Sequence, residues 1–108
     1  LEVSPLEDAG NAVRSSRLMV NATPVGMHPD TGHTIWPNVE DLHDEQIAYD
    51  LVYPPRETRW LREAAARGAR TIGGLQMLIA QAAAAYAQWT GKPMPLPIVE
   101  RAVTEHWE

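Results

Sequence analysis

The sequence contains no cysteine. This absence excludes disulfides, thiolate catalysis and cysteine-ligated metal sites, and it suits a reducing compartment. Long apolar runs are missing too, since no stretch approaches the roughly 20 residues that a membrane-spanning helix needs. We also see no basic, hydrophobic leader that ends in a small-residue cleavage site. The sequence therefore gives no reason to expect a membrane protein.

Positive charge is scarce, with 9 lysines and arginines against 14 aspartates and glutamates and a formal net charge of -5. Because a nucleic-acid surface needs a concentrated basic face, and the arginines here are scattered, we expect no nucleic-acid partner. A chain of 108 residues, 44% of them hydrophobic, can hold one small domain with a modest core.

Three apolar segments predict parallel β-strands at residues 17–22, 47–53 and 69–72, the first of them buried. A helix is predicted between the second and third strands, capped by Thr58 and ending near Arg67. Strand, helix and strand joined by short connections indicate parallel pairing.

The amino-terminal residues predict less regular structure. Residues 1–3 are expected to end a short strand, and Ser4 and Pro5 to begin a brief helix as its N-cap and first position. Gly10 and Asn11 are expected to interrupt that helix.

The strongest helical pattern covers residues 73–89. Its apolar side chains recur at helix spacing and predict a stripe packed on the core, with Gly91 as the stop. A linker at 92–97 and a closing helix at 98–107 follow. The predicted inward residues are Leu75, Leu78, Ile79, Ala82, Tyr86 and Trp89 in the first helix, and Ile98, Val99, Ala102, Val103 and Trp107 in the second.

The loops that follow the predicted strands are the candidate site. The carboxyl ends of parallel strands face the ligand crevice of an open α/β sheet, and they carry residues 23–27, Tyr53 and the pair Gly73 and Gly74. The pattern contains no nucleophile with a base and no phosphate-binding glycine loop. Tyr53 also fits an ordinary amphipathic rim position, and Gln81 fits a buried amide satisfied by the backbone.

A second loop, residues 28–38, holds His28, Asp30 and His33. Their spacing matches no helix-borne or zinc-knuckle pattern, so a solvated loop is favoured over a metal site. Trp36 is expected to anchor this loop by burying its ring.

Four motifs together resemble one family: NATPVGM at 21–27, YDLVYPPRET at 49–58, ARGART at 66–71 and GGLQMLIAQAAAAYAQWTG at 73–91. In order and spacing they are similar to the carboxyl-terminal part of shikimate dehydrogenase. The resemblance implies a cytoplasmic two-domain enzyme that reduces 3-dehydroshikimate to shikimate with NADPH, in the synthesis of aromatic amino acids. It implies a missing amino-terminal substrate domain, and here an α/β fold with a partial Rossmann-like parallel sheet and flanking helices.

The resemblance also implies a division of the chain. Residues 1–91 would be the carboxyl-terminal part of the NADP-binding domain, and 92–108 a linker and closing helix. The family's catalytic lysine and aspartate and its glycine-rich turn have no counterpart in the sequence. No catalytic residue is therefore assigned, and the chain alone is expected to be inactive.

By the same resemblance, Tyr53 and Gln81 bind substrate, and we expect both to point into one hollow. The cofactor side is expected to comprise Thr23, Leu51, Gly74 and Met77, with the missing Cβ of Gly74 letting the main chain approach a planar ring.

Two residues depart from the family pattern: Gly73 stands where aspartate is common, and Gln76 where glycine is common. Two other classes of protein remain as alternatives. One is a non-catalytic binding or regulatory module derived from the same fold, and the other is a structural helical interaction module.

Overall fold

The centre of the structure is a three-stranded parallel sheet, as the sequence predicts. A computed structural model describes residues 2–107, with side chains as far as Glu105. The strands are β1 Leu18–Asn21, β2 Ile47–Asp50 and β3 Arg70–Ile72, in the order β1-β2-β3. Both pairs are parallel, and the carboxyl ends of β1 and β2 are in register because Asn21 pairs with Asp50.

Four α-helices accompany the sheet: α1 Gly10–Ser15, α2 Arg59–Ala66, α3 Leu75–Thr90 and α4 Leu96–Trp107. None of the helices within residues 2–107 is long and apolar enough to cross a membrane. The predicted start of α2 is confirmed, because the Thr58 hydroxyl accepts a hydrogen bond from the Leu61 N–H at 3.3 Å. Gly68 follows α2 with a φ of 94°, a left-handed conformation that favours glycine.

The two faces of the sheet differ in burial. One face carries Ala48 and packs against α2 in a core cluster, which also contains the predicted anchor Trp36. The other face, which we call the open sheet face, is largely exposed, with Leu18 at 58% and Val20 at 52%. The expectation that the first strand is buried is therefore wrong for one face. By register and strand alternation, the open sheet face consists of Leu18, Val20, Ile47, Tyr49, Arg70 and Ile72.

The amino-terminal prediction is only partly right. Residues 2–4 form no strand, and Leu1 lies outside the described residues. Pro5 precedes a single 3₁₀ turn, Leu6–Asp8, rather than opening an α-helix. Helix α1 forms across Gly10 and Asn11, where an interruption was expected, and Arg14 on α1 binds Asp41 at 2.9 Å. This long-range ion pair stabilises a segment whose own helix propensity is low.

Strand β2 ends at Asp50 rather than at Tyr53. The Asp50 carboxylate accepts a hydrogen bond from the Val52 N–H at 3.0 Å, and this local bond turns the chain before the predicted strand is complete.

Helix α3 matches its predicted span closely, and Gly91 ends it in the left-handed region with a φ of 71°. The predicted core stripe is confirmed only for Leu75 and Ile79, which are buried, and is wrong for its other members, of which Trp89 is 82% exposed. The radius of gyration is 15.9 Å, against about 13 Å for a compact domain of this length. The molecule is therefore less compact than a closed domain of this length, and most of α3 is exposed.

Helix α4 begins at Leu96, two positions before the predicted start at Ile98. Ile98 and Ala102 are exposed rather than inward, whereas Val99 and Val103 are partly buried. The side chain of Trp107 lies outside the described residues.

Candidate functional site

The first half of α3 and the end of β2 form an open hollow of about 190 Å³. Four of the six predicted site residues line it: Leu51, Gly74, Met77 and Gln81. We call it the α3 hollow. The sequence placed these residues on two separate elements, and the fold brings them together because the β3–α3 connection returns the chain to the end of β2.

Gly74 forms the closest contact in the α3 hollow. A Cβ built on Gly74 would lie 2.5 Å from the Leu51 carbonyl oxygen and 2.7 Å from that of Val52. The φ of Gly74 is -77°, which any residue adopts, so its lack of a side chain matters for packing rather than for backbone conformation. The close approach of the main chain after β2 therefore requires a glycine at position 74, whether or not a ligand is bound.

Gln81 lies on the exposed side of α3, seven positions after Gly74 and therefore about two helical turns away. Its side-chain amide makes no hydrogen bond with the described part of the chain. The alternative of a buried amide satisfied by the backbone is therefore wrong. An exposed amide can both donate and accept hydrogen bonds, which suits a ligand that carries hydroxyl groups.

Tyr53 does not line the α3 hollow. The residue is half-buried and its hydroxyl oxygen is buried, so the expectation that Tyr53 and Gln81 point into one hollow is wrong for this structure. The cause is the early end of β2, which places Tyr53 on the following loop instead of at a strand end. Its assignment to substrate remains a prediction.

Thr23 lies at the same edge of the sheet, on the loop after β1. Its hydroxyl donates to Asn21 Oδ1 at 2.6 Å, and Asn21 Nδ2 donates to Asp50 Oδ1 at 3.1 Å. The Thr58 hydroxyl donates to Asp50 Oδ2 at 2.7 Å. A chain of hydrogen bonds therefore joins the predicted cofactor residue Thr23 to the end of β2 and the start of α2.

The chain is similar to known shikimate dehydrogenases. A protein-family model described as "Shikimate 5'-dehydrogenase C-terminal domain" matches residues 74–104. A "Shikimate dehydrogenase (NADP(+))" of Salinibacter ruber is 59% identical over 104 residues, which are 95% of this chain and 36% of that protein. The chain is related to the carboxyl-terminal part of shikimate dehydrogenase. It spans about a third of the length of this relative.

Solved structures agree with the shikimate dehydrogenase relationship. One from Thermus thermophilus, in complex with NADP(H) and shikimate, is 42% identical with a TM-score of 0.76, covering 94% of this chain and 37% of its own. A quinate dehydrogenase from Corynebacterium glutamicum in complex with NAD is 33% identical with a TM-score of 0.71, covering 82% and 30%. The expected α/β fold with a partial Rossmann-like sheet is confirmed.

The sequence analysis missed Asn21 and Asp50 as members of the site, although both lie within the shikimate dehydrogenase motifs, and it named Thr58 only as the cap of α2. The sequence did contain a signal that could have identified them. An amide and a carboxylate at the ends of adjacent parallel strands are expected to meet, and a threonine that begins the next helix returns to the same edge.

The loop after β1 borders a second hollow, of about 320 Å³, whose lining includes His28, Asp30 and His33. Among residues 2–107, no group of three histidine or acidic side chains is placed to hold a metal ion. The lining of this hollow includes residues 24–27 of the NATPVGM motif but none of the six predicted site residues.

A separate polar cluster stabilises the core beneath Trp36. Asp41 accepts hydrogen bonds from Arg14 at 2.9 Å and from the Trp36 indole at 3.0 Å. The bond from Arg14 lowers the pKa of Asp41 below its ordinary value, burial opposes that shift, and Trp36 and the Arg14 charge add to it. Because this cluster contacts none of the predicted site residues, we assign it a role in folding.

Proposed function

We propose that this chain forms one wall of the cofactor cleft and part of the substrate pocket of an NADP-dependent shikimate dehydrogenase. The reaction is the reduction of 3-dehydroshikimate to shikimate, in the cytoplasmic synthesis of aromatic amino acids. The observation that carries the proposal is the α3 hollow, which unites Leu51, Gly74, Met77 and Gln81. The named relatives support it through their printed activity and cofactor.

The chemistry of the α3 hollow fits the nicotinamide end of NADP. The space of a Gly74 Cβ is filled by the Leu51 and Val52 carbonyls, so a flat ring in the hollow would lie beside Leu51 and Met77 rather than against a missing side chain at Gly74. Met77 is half-buried, and its thioether makes favourable contacts with aromatic rings. The bound cofactor supplies the hydride.

Substrate recognition in this proposal depends on polar groups at the rim. The Gln81 amide binds a hydroxyl of shikimate, because both its oxygen and its nitrogen are available. Tyr53 contributes from the loop after β2 once the substrate domain is in place.

The proposal requires a further part of the protein, the amino-terminal substrate domain, to provide the catalytic lysine and aspartate. Lys92, the only lysine in the sequence, is exposed between α3 and α4, far along the chain from the hollow. The open sheet face is also consistent with additional structure, since parallel sheets are normally covered on both faces. The division into residues 1–91 and 92–108 belongs to the same proposal.

A spectrophotometric assay of the enzyme encoded by the complete open reading frame tests the proposal. We expect NADP-dependent oxidation of shikimate by the complete enzyme and no turnover by the 108-residue chain. Quinate is the competing substrate, because a quinate dehydrogenase is among the similar structures. Turnover of quinate alone would contradict the substrate assignment.

A second candidate is a non-catalytic module of the same fold. Gly73 favours it, because the carboxylate common at this position in the family is absent next to the N-cap of α3, which is Gly74 and has no side-chain cap. Tight binding of NADP or shikimate by the complete protein without any turnover would support this candidate over the enzyme.

A further inference from the structure

Asp50 is the central residue of the hydrogen-bond network at the carboxyl edge of the sheet. It is fully buried, with 0% of its surface exposed. Its Oδ1 accepts from Asn21 Nδ2 at 3.1 Å and from the Val52 N–H at 3.0 Å, and its Oδ2 accepts from Thr58 Oγ1 at 2.7 Å. Because both oxygens are occupied and buried, the carboxylate acts on a ligand only through its neighbours.

Asp50 helps to orient the Asn21 amide, together with the Val25 carbonyl, to which Asn21 Nδ2 also donates at 3.2 Å. A carboxylate only accepts hydrogen bonds, so the amide nitrogen of Asn21 must face Asp50 and the amide oxygen must face the other way. That oxygen accepts from both the N–H of Thr23, at 3.0 Å, and its hydroxyl, at 2.6 Å. The end of β2 therefore supports the loop after β1, in addition to the bonds that the loop makes within itself.

Asp50 also holds the main chain after β2. Its bond to the Val52 N–H fixes the turn that contains Leu51. The Leu51 and Val52 carbonyl oxygens are the atoms that a Cβ at Gly74 would meet. One carboxylate thus connects three predicted cofactor residues, Thr23, Leu51 and Gly74.

We propose that Asp50 is a positioning residue for NADP binding. Through Asn21 it orients Thr23, and through the Val52 main chain it holds Leu51 against Gly74. This inference rests on the proposed function, because the roles of Thr23, Leu51 and Gly74 are those of the NADP cleft.

Three variants of the complete enzyme separate positioning from simple stability. Asp50→Ala removes every acceptor, so KM for NADP is expected to rise about tenfold, as for the loss of one to two hydrogen bonds, while KM for shikimate changes less than about twofold. Asp50→Asn keeps an oxygen for Asn21 and Val52 and turns its nitrogen to Thr58. It is expected to restore KM for NADP to within about threefold of the parent enzyme.

Thr58→Val is the matched control, because it removes only the bond to Asp50 Oδ2 and the cap of α2. It is expected to lower the melting temperature while leaving KM for NADP within about twofold of the parent. The proposal is overturned if KM for NADP follows the melting temperature across the three variants. Equal values for Asp50→Ala and Asp50→Asn, or parallel rises in both Michaelis constants, also overturn it.

A variant at the exposed end of the network covers the case in which Asp50→Ala does not fold. Thr23→Val removes the hydroxyl that Asn21 orients, and Thr23 is exposed, so the fold tolerates the change. It is expected to raise KM for NADP by about the same tenfold. An unchanged KM for NADP in Thr23→Val overturns the proposal.

Amide hydrogen exchange supplies a readout that needs no ligand. The exchange rates of the Thr23 and Val25 amides are measured in each Asp50 variant that folds. They are compared with the rates of the same amides in Thr58→Val. Faster exchange at both amides in Asp50→Ala, but not in Asp50→Asn or Thr58→Val, supports the positioning role, and unchanged exchange in Asp50→Ala contradicts it. If the parent enzyme lacks turnover with shikimate and NADP, the proposed function fails, while the exchange result still decides whether Asp50 orders the loop.

Discussion

The carbonyl oxygen of Leu51 occupies the space into which a side chain at Gly74 would project, since a Cβ there would lie 2.5 Å from it. Replacing Gly74 with alanine must therefore displace the main chain after β2. We expect Gly74→Ala to lower the free energy of unfolding by about 1–3 kcal/mol, as overpacking in a buried site does.

Urea denaturation of the complete enzyme measures this effect, and Gly32→Ala is its control. No atom lies within 4 Å of a Cβ at Gly32, so that change should stay within about 0.5 kcal/mol of the parent. Equal stabilities for the two variants would show that the main chain yields at Gly74 without cost.

The exposed Gln81 amide gives a prediction about substrate binding. In the complete enzyme, Gln81→Ala should raise KM for shikimate about tenfold, because one hydrogen bond of roughly 1.4 kcal/mol is lost. Steady-state kinetics with NADP held at saturation measure the change. Gln88→Ala is the control, since Gln88 is exposed on the same helix and does not line the α3 hollow. A KM that stays at the parent value in Gln81→Ala would remove Gln81 from the substrate site.

The pairing of Arg14 with Asp41 predicts an acid dependence of stability. Because the pKa of folded Asp41 lies below its ordinary value of 3.8, its carboxylate stabilises the fold fully above that value. The contribution is lost as the pH falls through the lowered pKa.

Denaturation of the parent and of Asp41→Asn, at neutral pH and at a pH below 3.8, measures this contribution. Asp41→Asn should be less stable at neutral pH and lose less stability on acidification. Asp30→Asn, a change at an exposed aspartate, should lose as much as the parent. An Asp41→Asn variant with the acid sensitivity of the parent would contradict the assignment.

Polar substitutions on the open sheet face are expected to have opposite effects in the isolated chain and in the complete enzyme. The double substitution Leu18→Thr and Val20→Thr places a β-branched residue at both positions, which suits a strand, and it removes apolar surface. In the isolated chain this pair should reduce self-association, because exposed apolar sheets associate. In the complete enzyme it should lower the free energy of unfolding, by about 1–3 kcal/mol for each side chain that becomes buried there.

Analytical ultracentrifugation of the chain and denaturation of the enzyme measure the two effects. Met27→Gln is the control, because Met27 is also exposed but lies off the sheet. Unchanged stability of the enzyme after both threonine substitutions would show that nothing packs on the open sheet face.

The sequence predicts the ends of helices well where a residue type has a specific role in capping the backbone. Thr58 and Gly91 mark helix ends by cap chemistry, and both ends are confirmed. The end of β2 is missed because one aspartate bond to the Val52 N–H overrides strand propensity. The stripe of α3 is misjudged because periodicity shows which side chains share a face, whereas burial depends on what covers that face.

The candidate site shows the same limit. The motifs select Leu51, Gly74, Met77 and Gln81, which the fold brings together. They also select Tyr53, whose position depends on a loop with no periodic pattern. Asn21 and Asp50 escape selection because their pairing exists only once the parallel register is known.

The bond between Thr58 and Asp50 joins residues that are eight positions apart. It ties the end of β2 to the start of α2 across the intervening segment, whose first residues are also held by the bond from the Val52 N–H to Asp50. Loops of altered length or sequence therefore belong at residues 53–57, beyond Val52, where strand, turn and helix are left in place. Variants with altered selectivity among hydroxy acids can be sought first in this segment.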